Sequence, residues 1–152
     1  MKKALRSAAL LFLAAVAAPA LGQDSVVPKT IAEAFAKKYP QAEDVSWEEL
    51  DEVYIASFLK GDYYCDAYFD KRGTWKETST IIDEADLPKV VVLAVKGKYP
   101  SLDYFTSIVQ SERPEGTLYY LGFESGYDYI TLTLDEKGTI LGEEVESFDG
   151  ND

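Results

Sequence analysis

The sequence predicts an α+β fold: two tandem repeats, each a helix followed by an antiparallel β-meander of about four strands, with the helices on one face of the sheet. Three observations predict it. Val27-Pro28-Lys29 returns as Leu87-Pro88-Lys89, and Lys38-Tyr39-Pro40 as Lys98-Tyr99-Pro100, both 60 residues later. Tyr54–Phe58 (YIASF) returns as Tyr119–Phe123 (YYLGF), and Asp70–Thr74 as Asp135–Thr139, both 65 residues later. Within each copy, an amphipathic helical stripe gives way to the alternation of strands. The expected division is a signal peptide over 1–22, a first repeat over 23–83 and a second over 84–152.

The signal peptide is read from a basic start (Lys2, Lys3, Arg6), the apolar run Ala8 to Ala18, and small residues at Ala20 and Gly22 before Gln23. That run is too short and too alanine-rich for a membrane span. A periplasmic or secreted chain, with no membrane insertion after cleavage, is the expectation.

Each repeat opens with a helix. Proline is tolerated in a first turn, where its missing N–H would have no partner. Ile31, Ala34, Phe35 and Tyr39 form the stripe of the first helix, and Val91, Ala94, Val95 and Tyr99 that of the second. Pro40 and Pro100 stop the helices, because a proline pushes the preceding residue out of the α region. Val90, Val92 and Leu93 make the second helix apolar on more of its circumference, and it is expected to be the more deeply buried of the two.

The first strands are expected near Val45–Glu49 and Phe105–Gln110. Tyr54–Leu59 and Leu118–Glu124 follow, ending at the turns Lys60-Gly61 and Ser125-Gly126. Tyr63–Phe69 and Asp128–Leu134 come next, closed by Asp70–Gly73 and Asp135–Gly138; Thr74–Ile82 and Thr139–Val145 are the last strands. The second copy carries about five extra residues, and the polar run Ser111–Gly116 is expected to hold them as a turn. Alternation puts Cys65, Ala67 and Phe69 with Tyr54, Ala56 and Phe58 on the helix side, matched by Ile130, Leu132, Leu134, Tyr119, Leu121 and Phe123. Trp75 and Ile140 are expected to complete the cores.

Composition removes several functions. The chain has 152 residues, a formal net charge of −12, one cysteine and no histidine. Losing residues 1–22 removes three positive charges and no negative one, which takes −12 to −15. Such a chain repels phosphate backbones and anionic lipid, so no nucleic acid partner is expected. Without histidine there is no Ser-His-Asp or Cys-His machinery. One cysteine makes no internal disulfide, and Cys65, matched by Ile130, reads as a buried, inert side chain. Zinc spacing, phosphate-binding loops and nucleophile elbows are missing, so no cofactor and no metal site is expected. Glu48, Glu49, Asp51 and Glu52, with Glu143, Glu144 and Glu146 after the last strand, read as solvated edges. They offer no convincing acid pair for hydrolysis.

The face opposite the helices is the candidate site. Tyr64, Asp66 and Tyr68 project there, joined by Ile55 and Leu59 from the neighbouring strand and by Tyr120 and Tyr129 from the second copy. Tyrosine with interspersed acid suits a protein-binding surface, since it gives large contact area and a hydrogen-bonding tip. The same residues also serve cross-strand pairing on a half-exposed sheet.

The order of these residues resembles the PepSY-like, β-lactamase-inhibitor-like envelope proteins. It is carried by Val27–Lys29, Lys38–Pro40, Trp47-Glu48, Tyr54–Phe58 and Tyr68–Trp75 in the first copy, and more loosely in the second. The resemblance implies antiparallel sheets with helices on one side and the other face open, and it brings no catalytic motif. The reading that follows is a non-catalytic module, not an enzyme, that binds a protein or peptide in the cell envelope, with inhibition one form of such binding. The alternative is a small-ligand or cation-binding envelope protein that uses its acidic surface.

Overall fold

In the computed structural model, which describes residues 27–148, the chain runs α1 (Lys29–Lys38), β1 (Glu43–Leu50), β2 (Val53–Lys60), β3 (Tyr63–Asp70) and β4 (Trp75–Ile81). A 3₁₀ turn (Glu84–Asp86) leads to α2 (Lys89–Lys98), β5 (Ser107–Arg113), β6 (Gly116–Ser125), β7 (Asp128–Asp135) and β8 (Ile140–Ser147). The expected signal peptide lies outside the described residues. All eight strands form one open antiparallel sheet in chain order, each beside its sequence neighbours. The sequence left open whether the two meanders join. They do, because β4 pairs with β5 from Thr78↔Glu112 to Ile81↔Val109.

The helices begin and end for local reasons. The carbonyl of Pro28 accepts N–H groups from Ile31 and Ala32 at 2.9 and 3.1 Å, and that of Pro88 accepts those of Val91 and Val92 at 2.9 and 3.2 Å. Tyr39 and Tyr99 leave the helical region at ψ 67° and 74°, ahead of the prolines.

After β3 and β7 the chain turns on an aspartate. The Asp70 carboxylate accepts the N–H groups of Arg72 and Thr74, both at 2.9 Å. The Asp135 carboxylate does the same for Lys137 and Thr139, at 2.9 and 2.8 Å. Gly73 and Gly138 close these turns at φ +80° and +81°, each pressed on the first turn of a helix. A Cβ at Gly73 would stand 3.2 Å from the Thr30 carbonyl oxygen, and one at Gly138 would stand 2.7 Å from that of Val90. Glycine here meets two demands at once, a left-handed backbone and close approach.

Each helix packs its stripe on the alternating residues of its own meander. Ile31 and Phe35 pack with Tyr54, Ala56, Phe58, Cys65, Ala67 and Phe69. Val91 and Val95 pack with Leu121, Phe123, Ile130, Leu132 and Leu134. The volumes are traded between layers. In the first core the large Phe35 lies in the same cluster as the cross-strand pair Ala56↔Ala67; in the second the smaller Val95 lies with Leu121↔Leu132. Close packing at constant total volume explains the exchange. Each large apolar side chain so buried contributes about 1.5–3 kcal/mol. Trp75 and Ile140 sit partly buried against these cores. Tyr63 packs against both, and its hydroxyl donates to Asp86 at 2.6 Å, tying the 3₁₀ turn to β3.

Three expectations are corrected. The second helix is not the more deeply buried, because Val90 and Leu93 are 49% and 69% exposed. A helix lying on a single sheet covers one stripe only, whatever its outer face carries. The turn expected over Ser111–Gly116 is confined to Pro114-Glu115: Ser111–Arg113 finish β5, Gly116 starts β6, and Arg113 pairs with Gly116 around that two-residue tip. The added residues lengthen a hairpin. Glu143, Glu144 and Glu146 do not follow the last strand but lie within β8, where Glu143 accepts hydrogen bonds from Lys98 and Tyr99.

Candidate functional site

Strand pairing fixes which side chains share the face away from the buried residues of β2, β3, β6 and β7. Ile55 stands opposite Tyr68, Ser57 opposite Asp66, and Leu59 opposite Tyr64. Ser57 donates to the Asp66 carboxylate at 2.6 Å. The pairing continues as Tyr68↔Glu77 and Asp66↔Ser79 onto β4, Ser79↔Ser111 and Ile81↔Val109 onto β5, then Ser111↔Leu118 and Val109↔Tyr120 onto β6.

Two rows emerge. One is apolar and aromatic: Leu59 opposite Tyr64, and Ile81, Val109 and Tyr120 in line, the two parts brought side by side by the last β3–β4 pair, Cys65↔Thr80, one residue short of Tyr64 and Ile81; Tyr64 is 70% and Ile81 64% exposed. The row beside it is polar: Ser57, Asp66, Ser79 and Ser111.

At the centre, where β4 meets β5, Glu77 organises a network. Its carboxylate accepts Ser79 Oγ at 3.1 Å and Ser111 Oγ at 2.8 Å, and pairs with the Arg113 guanidinium at 3.1 Å. Arg113 donates in turn to Ser111 Oγ at 3.0 Å and to the Tyr120 hydroxyl at 2.8 Å. Ser111 is fully buried beneath these groups, so the network satisfies polar atoms that the seam would otherwise strand.

The expected site residues fall into three groups. Tyr64, Asp66, Tyr68, Ile55 and Leu59 form one contiguous block on β2 and β3. Tyr68 is half-buried, and burial first, then the nearby carboxylates of Asp66 and Glu77, push its hydroxyl up to about 12. It presents less surface than Tyr64. Tyr120 joins the same row through Val109, its hydroxyl held by Arg113. Tyr129 stands apart, opposite Glu124 and Glu146. It lies over Gly122, where a Cβ would overlap its hydroxyl and Ser107 Oγ, and that hydroxyl accepts Thr106 Oγ1 at 3.1 Å.

Sequence reasoning missed Ile81, Val109, Glu77, Ser79, Ser111 and Arg113. Their face depends on the β4–β5 register, and β4 is short, polar and bulged where it leaves Tyr68 for Phe69. The alternation of Glu77, Ser79 and Ile81 was the available signal, once paired with Asp66 and Tyr68.

The remaining chemistry is quiet. Cys65 is buried beside Thr80, and burial pushes its thiol pKa up, away from the reactive thiolate. Among the described residues, no three His, Cys, Asp or Glu side chains come together as a metal site, and no helix is long and apolar enough to cross a membrane.

Comparison with known proteins places this geometry. The family model described as "Putative beta-lactamase-inhibitor-like, PepSY-like" matches residues 52–142. Crystal structures with the same fold include a BLIP-like protein from Bacteroides fragilis, 26% identical over 82% of this chain and 89% of that one, with TM-score 0.71. A DUF2874 family protein from Bacteroides uniformis is 18% identical over 80% and 91%, with TM-score 0.72. A third, from Bacteroides eggerthii and described as "putative periplasmic proteins", is 18% identical over 82% and 92%, with TM-score 0.71. No curated protein matches.

Proposed function

We propose, for a chain that belongs to the PepSY-like, beta-lactamase-inhibitor-like family, the role of a non-catalytic binding module in the cell envelope that engages a protein or peptide through its open sheet face. The observation that carries this reading is the apolar row Leu59–Tyr64–Ile81–Val109–Tyr120. An exposed aromatic and an exposed isoleucine on adjacent strands, rimmed by polar side chains, have the make-up of a contact surface. The similar BLIP-like protein, named for an inhibitor, supports a binding role over a catalytic one. Export is supported by the basic and apolar start of the sequence.

The same reading takes the chain as two copies of one helix-plus-meander unit laid side by side, with both helices on one side. Its support is the register. Ala67 pairs with Thr78, Thr78 with Glu112, and Gln110 with Tyr119, so the residues under α1 and those under α2 lie on the same side of the sheet. The matched Asp turns seated on Thr30 and Val90 support the duplication.

The test is capture of partners from an envelope extract by the purified protein and by a Tyr64→Ser/Tyr68→Ser variant. A specific partner lost in the variant is the expected result. Identical capture by both proteins would sink the reading.

A further inference from the structure

Resting on the open-face reading, the register points to a partner of defined shape and charge: we propose that the apolar row receives a basic amphipathic α-helix of the partner, lying across the strands.

The spacing argues for a helix. Neighbouring strands lie about 4.8 Å apart, so the five anchors from Leu59 to Tyr120 span about 19 Å at about 4.8 Å per step. A helix presents ridge residues three or four apart, at about 4.5 or 6.0 Å, and its ridge of five covers about 21 Å. An extended segment shows one side every second residue, about 6.8 Å apart, and five such residues would need about 27 Å. The row therefore matches a helical ridge at every step, whereas an extended chain drifts out of phase after two. Recognition of an amphipathic helix by an apolar groove or strip is an established binding mode.

Charge argues for a basic flank. Asp66 lies beside the row on β3, and Glu124, Glu144 and Glu146 lie on the same face across β6 and β8. The cations nearest this face are paired: Arg113 with Glu77, and Lys76, at the bulge of β4, with Asp70. A helix with Lys or Arg beside its apolar ridge meets Asp66 along one side of the row, and Glu124, Glu144 and Glu146 off the other side toward and beyond its Tyr120 end. An acidic helix meets repulsion on both, and that asymmetry makes the face selective.

Three synthetic peptides of about 18 residues, long enough for a ridge of five at about 1.5 Å per residue, test this. One carries Leu at ridge spacing with Lys on the flanks; one has the same ridge with Glu; one scrambles the first, so that composition is kept and the ridge is lost. Affinity of the purified full chain is measured by fluorescence anisotropy in low and moderate salt. The expected result is binding of the Lys-ridge peptide, at least about tenfold weaker binding of the other two, and weakening by added salt. Ile81→Ser and Asp66→Asn, with unchanged melting curves, should each weaken the Lys-ridge peptide several-fold; Tyr64→Ser replaces Ile81→Ser if that variant melts early. Equal binding of the scrambled peptide would overturn the helical ridge, and equal binding of the Glu peptide would overturn the charge assignment. Binding of none overturns the proposal, while the open-face reading stands or falls separately on capture by the Tyr64/Tyr68 variant.

Discussion

Glu77 on β4 and Arg113 on β5 pair at 3.1 Å across the junction of the two meanders, with both side chains largely shielded from solvent. The junction is narrow, four residue pairs from Thr78↔Glu112 to Ile81↔Val109. The ion pair sits at its end and organises Ser79, Ser111 and Tyr120 around it. It aligns the two halves of the face on which the proposed binding role depends.

Replacing Glu77 by Ala removes the acceptor for Ser111 and leaves Arg113 without its counter-charge. A loss of about 1–3 kcal/mol is expected from urea unfolding. Glu77→Gln keeps an acceptor for Ser111 and should lose less. Equal losses would mean that the charge itself contributes nothing.

The two Asp-turn glycines should differ. Gly138→Ala brings a Cβ to 2.7 Å from the Val90 carbonyl oxygen, whereas Gly73→Ala brings one to 3.2 Å from that of Thr30. Gly126→Ala has positive φ but nothing within 4 Å. Melting curves should rank the losses Gly138→Ala, Gly73→Ala, Gly126→Ala, with the last about 1 kcal/mol.

Much of this was legible in the sequence. Pro28 and Pro88, the Tyr-Pro stops and the Asp-x-x-Gly turns punctuate the chain through local stereochemistry, which needs no partner strand. The alternation of Cys65, Ala67 and Phe69 named a buried side of the sheet. Ile81 and Val109 were not legible, because their neighbours are set by pairing between β4 and β5 across a connection that contains a helix. Nor could the sequence show that Gly73 and Gly138 touch the helices. Their positive φ follows from a turn, but the carbonyls of Thr30 and Val90 approach only after packing.

Packing predicts an asymmetry between the cores. Leu132→Ala empties a fully buried site and should cost about 2–5 kcal/mol. Ala67→Leu, at the aligned position of the first core, adds volume in the cluster that holds Phe35 and should cost about 1–3 kcal/mol. A neutral Ala67→Leu would show that the first core is loosely filled.

Acid should unfold the protein partly through its turns. The N–H of Thr74 first, then Lys76 and the N–H of Arg72, hold the Asp70 carboxyl down to about 2, from an ordinary 3.8. Asp135 is lowered in the same way, by the N–H of Thr139 first, and Glu143 by Lys98 first. A depressed folded pKa means that the unfolded chain takes up the proton first. The stability contributed is therefore fully present above about pH 5 and is lost as the pH falls toward about 2. Urea midpoints across this window should fall less steeply for Asp70→Asn than for the wild type, and identical slopes would contradict the assignment.

The proposed role puts the partner on the sheet face and not on the helices. Titrating a captured partner into isotopically labelled protein and following amide chemical shifts tests it most directly. The changes should cluster at Leu59, Tyr64, Asp66, Ile81, Val109 and Tyr120, with the exposed sides of α1 and α2 unmoved. Changes confined to Val90, Leu93 and the rest of the helical surface would contradict it.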